Sequence, residues 1–132
     1  MRWILFAMML AGCSPGPGPQ AQAERTLFAG EGRDRLCSDG DRAGFIAYGA
    51  GDANCSVRGR IERSEGRVAL LPWGDRDCRI EVQLSGDSVR LGSRSEACAY
   101  YCGPGVDFTG RRFGKMNGNA RDAKDLAGDP LC

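Results

Sequence analysis

Cys78-Arg79-Ile80-Glu81-Val82-Gln83-Leu84 is the stretch that decides the fold. Its cysteine and aliphatic residues fall on every second position, and charged or amide side chains fill the positions between. A two-residue period suits a strand with one covered and one wet face; a helix would repeat its apolar residues every three or four positions. Cys55, Val57, Gly59 and Ile61 show the same alternation against Ser56, Arg58, Arg60 and Glu62. Val68 and Leu70 follow after Ser64-Glu65-Gly66, and Val89 and Leu91 after Ser85-Gly86-Asp87. Phe45 to Tyr48 is an earlier strand candidate and Val106 to Phe113 a later one. Strands separated by turn signals at short, regular spacing predict a mainly β domain. The expected form is a small antiparallel meander curled as a barrel or sandwich. Asn119 to Leu126 is the one helix candidate, with Asn119 as cap and Gly128 and Pro130 as terminators.

Seven cysteines are present. Cys13 stands apart near the amino end, leaving Cys37, Cys55, Cys78, Cys98, Cys102 and Cys132 as disulfide candidates. An even set in a domain of this size, rich in glycine, reads as a covalent framework that supplements a small core. Sequence does not choose among the fifteen pairings. Strand placement favours Cys55 with Cys78 across the core and Cys37 with Cys132 closing the domain, which leaves Cys98 with Cys102.

Ahead of Cys13 lie one charge, Arg2, the short apolar run Trp3 to Leu10, and the small residues Ala11 and Gly12. The order of charged, apolar and small is that of a secretory signal, and the run is shorter than the roughly 20 residues of a membrane span. Leu10-Ala11-Gly12-Cys13 resembles the lipobox of bacterial lipoproteins. The resemblance implies cleavage before Cys13, a diacylated Cys13 thiol, and a membrane partner bound through that anchor. Two or more acyl chains hold a protein firmly, since each buried methylene contributes roughly 0.8 kcal/mol. Ser14 in place of an aspartate favours, by the same resemblance, the outer membrane facing the periplasm. The expected organisation is a signal over 1–12, a lipidated cysteine and Pro/Gly-rich linker over 13–24, and a β domain over 25–132. The linker carries three prolines and, extended, reaches on the order of 35 Å.

Loss of Arg2 with the signal leaves 17 basic against 17 acidic residues. This neutral balance gives no electrostatic basis for nucleic-acid binding. The chain has no histidine, hence neither the usual general base near neutral pH nor the commonest metal ligand. Glu62, Glu65, Glu81 and Glu96 are the glutamates available for paired-carboxylate chemistry, but Glu62 and Glu81 fall on wet faces. Lys115 and Lys124 lack an adjoining serine motif. Asp39-Gly40-Asp41 and Asp75-Arg76-Asp77 offer too few ligands for calcium, and an EF-hand loop from Asp39 would need a carboxylate where Ala50 stands. The expectation is a protein that is not an enzyme and carries no cofactor or metal. Arg58, Arg60, Arg79 and Glu81 are expected to pair across strands.

Ala97-Cys98-Ala99-Tyr100-Tyr101-Cys102-Gly103-Pro104-Gly105 is the most distinctive internal segment. Tyr100 and Tyr101 are binding candidates, since tyrosine offers area and a hydroxyl at small entropic cost. The segment, with the chain's size and anchor, is similar to small cysteine-rich exported β-domains such as the lysozyme-inhibitor lipoproteins. That similarity implies a protein-binding module, with a cell-wall hydrolase as the kind of partner inhibited, and transfers no site residue. The alternative is a structural envelope component without a discrete ligand.

Overall fold

A computed structural model describes Gly12 and residues 25–132. The signal, Cys13 and all of the linker lie outside the described residues, apart from the isolated Gly12. The strands are β1 (Arg25–Ala29), β2 (Arg35–Asp39), β3 (Arg42–Tyr48), β4 (Asn54–Ser64), β5 (Arg67–Pro72), β6 (Ile80–Ser85), β7 (Ser88–Arg94) and β8 (Arg112–Met116). Each pairs antiparallel with the next, and β8 returns to β1 through Leu27↔Met116, Phe28↔Lys115 and Ala29↔Gly114. The meander therefore closes as a barrel, which removes its edges.

Residues alternate about the wall as the period-two stretches require. Phe45, Val57, Leu70, Ile80, Leu91 and Phe113 point inward and are almost wholly buried. The β4–β5 hairpin turns on Glu65 and Gly66, both with positive φ (51° and 75°), the geometry that matches the twist of paired strands.

β1 and β2 were not marked by alternation, and the reason is a second covered face. Residues 118–132 lie across the outside of β1–β3, where Ala120, Ala123 and Leu131 pack on Leu27, Cys37 and Ile46. Strands covered on both sides read as continuous apolar pairs, here Leu27-Phe28 and Leu36-Cys37. Leu131 sits close because Gly44 has no side chain: a Cβ there would stand 2.5 Å from the Leu131 carbonyl oxygen. Arg58 fastens the same segment, donating to Asp125 Oδ2 at 2.6 Å and to the Pro130 carbonyl at 3.1 Å. The predicted C-terminal helix shrinks to one 3-10 turn, Ala120–Asp122. Asn119 caps it in a reciprocal box with Asp122, and the chain then straightens to lie on the barrel.

The disulfides are Cys37–Cys132, Cys55–Cys102 and Cys78–Cys98. The expected closure by Cys37 and Cys132 is present; the other two expected pairs are exchanged. Cys55 belongs to β4, and Cys78 leads into β6, with β5 between them. Two strand spacings of about 4.8 Å exceed the roughly 7 Å that a disulfide spans between Cα atoms. Cys98 and Cys102 cannot meet because a 3-10 helix, Glu96–Tyr101, begins the β7–β8 connection. At three residues per turn and about 2 Å rise, residues four apart face different ways. Cys98 turns down to Cys78, while Cys102 reaches β4 through an antiparallel bridge with Cys55.

The strand expected over Val106 to Phe113 begins only at Arg112. Asp107 Oδ1 accepts from the Thr109 amide at 2.9 Å and Gly110 has a φ of 85°, so the chain turns. That turn drives Phe108 into the barrel, edge-on to Phe45 with centroids 5.0 Å apart. Barrel closure, both apolar clusters and all three disulfides lie within residues 25–132, so this segment contains a complete core.

Candidate functional site

The two ends of the barrel differ. The β7–β8 connection crosses one end and seals it with Phe108, Cys98 and two of the disulfides. Asp34, from the β1–β2 loop, ties that end together. Its Oδ1 accepts from the Tyr48 amide at 2.8 Å and its Oδ2 from Arg111 Nη1 at 2.9 Å. Arg111 also donates to the Tyr48 carbonyl at 2.9 Å. Asp34 is the buried charged residue among the described ones, at 2% exposure.

The other end is open. The β2–β3, β4–β5 and β6–β7 hairpins ring a cavity of about 660 Å³ that runs down into the barrel. Its floor is Leu36, Ala43, Leu70 and Leu91, all buried. Its upper wall is Ile61, Val68, Val82 and Leu84, the last 53% exposed. Cavities of this size accommodate small organic ligands, and eight-stranded barrels are wide enough inside to hold one. Ser38, Asp41, Arg63 and Ser88 are the polar side chains at the lip. Arg63 follows Ile61 on the inward-facing set of β4, and Lys115 follows Phe113 on that of β8.

At the sealed end the two tyrosines separate. Tyr100 is 86% exposed. Tyr101 donates its hydroxyl to Asp75 Oδ2 at 2.6 Å, tying the 3-10 helix to the β5–β6 loop. Asp75 Oδ1 accepts from the Asp77 and Cys78 amides. These donors, Tyr101 foremost, hold the Asp75 carboxyl below its usual range. Burial and then the Asp75 carboxylate push the Tyr101 phenol up from 10.0 to about 12. The neutral phenol contributes stability that is complete below pH 10 and is lost as pH rises towards 12. A phenolate absorbance titration is expected to show one step near 12 that Tyr101→Phe removes.

The arginines singled out by sequence meet carboxylates. Arg79 contacts Glu62 at 2.9 Å and Glu81 at 3.0 Å, and Arg60 approaches Glu62 at 3.7 Å. Glu62, Ala69 and Glu81 stand in one cross-strand row, and Ala69 is wholly buried in its middle. Hydrogen bonding by Arg79 lowers the Glu62 carboxyl, opposite to what a general acid needs. Arg58 pairs instead with Asp125. Of the turn aspartates, Asp39 meets Arg25 and Asp52 meets Arg33. Among the described residues no three or more potential metal ligands converge.

The cup itself escaped sequence reading, as did Arg63, and Lys115 stood out there only as a lysine without a serine motif. The available signal was the continuation of the inward set, Ile61-x-Arg63 and Phe113-x-Lys115, past the last apolar position. Comparison with protein families, with curated proteins and with solved structures finds no match for this chain.

Proposed function

We propose that this chain is an envelope lipoprotein that works by binding, not by catalysis, and that its ligand enters the open end of the barrel. The carrying observation is the barrel's asymmetry: one end covalently sealed, the other an apolar cup. A folded domain of this size would gain stability by filling that space, since unfilled apolar volume is costly. A purely structural component would leave the cup without a role. The lipobox resemblance supports acylated Cys13 as the tether, with the linker holding the barrel near the periplasmic side of the outer membrane. The Arg79 guanidinium holds the Glu62 carboxyl low, which argues against Glu62 as a general acid.

The test uses oxidised residues 25–132 and the uncharged dye N-phenylnaphthylamine. Saturable brightening that Val82→Trp abolishes by filling the upper cup is the expected result. Absence of saturable brightening contradicts the reading.

A protein partner, such as a cell-wall hydrolase, is a second reading favoured by Tyr100. Its ring projects from a turn whose two ends are both cross-linked, Cys98 to Cys78 and Cys102 to Cys55. It is braced edge-on by Tyr101, with centroids 5.3 Å apart. A rigid exposed aromatic loses little entropy on docking.

A further inference from the structure

We propose that the cup binds a single-chain fatty carboxylate, chain down, with its head group held between Arg63 and Lys115. The proposal rests on the reading of the open end as a ligand site and adds the ligand's chemistry.

The chain is argued from depth. Leu70, on the cavity floor, is in register with Ile80 of β6, while Leu84, four residues further along the inward set of β6, is half exposed at the lip. Four strand residues at about 3.3 Å, tilted about 40° to the barrel axis, give a depth of roughly 10 Å. An extended hydrocarbon fits about eight methylenes into that depth. Phe45 and Phe108, packed edge-on, fill the interior below, so the chain stops there.

The head group is argued from charge. Arg63 lines the mouth from β4, beside Val68. Lys115 sits on β8 opposite Phe28, at the level of the β6–β7 turn, where its amide donates to the Asp87 carbonyl. In a closed barrel of eight strands, β4 and β8 are opposite walls. Both side chains are exposed, and neither has an ion-pair partner among the described residues. Of the other arginines near this end, Arg25 pairs with Asp39 and Arg60 with Glu62, while Arg42 and Arg67, each next to an inward-facing residue (Ala43 and Val68), fall on the outward-facing set. Two unpaired cations above an apolar well complement an anion carrying a hydrocarbon tail. Asp41 lines the same lip and opposes a doubly charged head, which favours a carboxylate over a phosphate monoester. Arg25, the first residue of β1, pairs with Asp39 at this end. An acylated Cys13 would therefore tether the barrel from the same end as the mouth, within linker reach of a membrane into which single-chain amphiphiles partition.

The experiment is calorimetric titration of oxidised residues 25–132 with straight-chain carboxylates from hexanoate to dodecanoate. Affinity is expected to rise about fourfold per methylene and then level off once the cup is full. The variant carrying Arg63→Gln and Lys115→Gln is expected to bind decanoate about tenfold more weakly and decanol unchanged. Val82→Trp is expected to weaken both. If decanol binds as tightly as decanoate, or decyl phosphate binds more tightly, the head-group assignment is overturned while the cup remains a ligand site. If no chain length binds, both readings fall. Because both substituted side chains are exposed at the lip, unchanged thermal melting of the double variant separates lost recognition from lost folding.

Discussion

Replacing Cys37 and Cys132 together by alanine is expected to destabilise the domain by about 4–5 kcal/mol. The pair closes 95 residues of chain, so its removal returns more freedom to the unfolded state than loss of either other disulfide. Cys55–Cys102, closing 47 residues, is worth about 4 kcal/mol by the same relation, and Cys78–Cys98, closing 20, about 3 kcal/mol. A second, local effect accompanies the first. Cys132 ends the segment whose Leu131 covers Ile46 and Leu27, so the uncoupled segment frays and wets the outside of β1–β3. Thermal melting of the double variant should fall by roughly 20 °C. Hydrogen exchange should accelerate first at the Leu131 amide, which donates to the Ala123 carbonyl at 2.8 Å. Unchanged melting, or uniform exchange with no bias to residues 118–132, would contradict the role assigned to this closure.

Asp34→Ala is the second substitution with a large expected effect, about 3–5 kcal/mol. The carboxylate is buried and joins three segments: its own β1–β2 loop, the end of β3 at Tyr48, and the β7–β8 connection at Arg111. Alanine leaves the Tyr48 amide without its acceptor and the Arg111 guanidinium, itself 28% exposed, without its counter-charge. Stranded buried polar groups cost more than the net worth of the bonds they made. Asp34→Asn is the informative control, because its amide oxygen still accepts from Tyr48 while the charge is gone. Urea unfolding should place Asn between wild type and alanine. An alanine variant as stable as wild type would show that the sealed end does not depend on this junction.

Much of the wall was readable because β4 to β7 have one wet face. Cys78 to Leu84 and Cys55 to Glu62 alternate for that reason, and the turns at Glu65-Gly66 and Gly86-Asp87 declare themselves by residue type. What stayed hidden depends on contacts between distant parts of the chain. β1 and β2 lose their alternation because residues from beyond position 118 cover their outer face. Phe108 sits in a run that looks like a strand, yet Asp107 and Gly110 bend it into a plug. Cysteine pairing follows strand order around the barrel, which alternation along any single strand does not contain. Tyr100 and Tyr101 are neighbours in sequence but have opposite fates, one projecting and one bonded to Asp75. Arg63 and Lys115 look like ordinary solvated charges until the barrel closes and brings β4 and β8 to opposite sides of one mouth.

A crystal structure of oxidised residues 25–132 under xenon pressure tests the open cup most directly, because xenon settles in apolar space. The expected result is xenon density between Leu70 and Leu91, above the ring of Phe108, with sulfur pairs at Cys55–Cys102 and Cys78–Cys98 closing the opposite end. Inward walls collapsed on one another with no xenon between them would contradict the account.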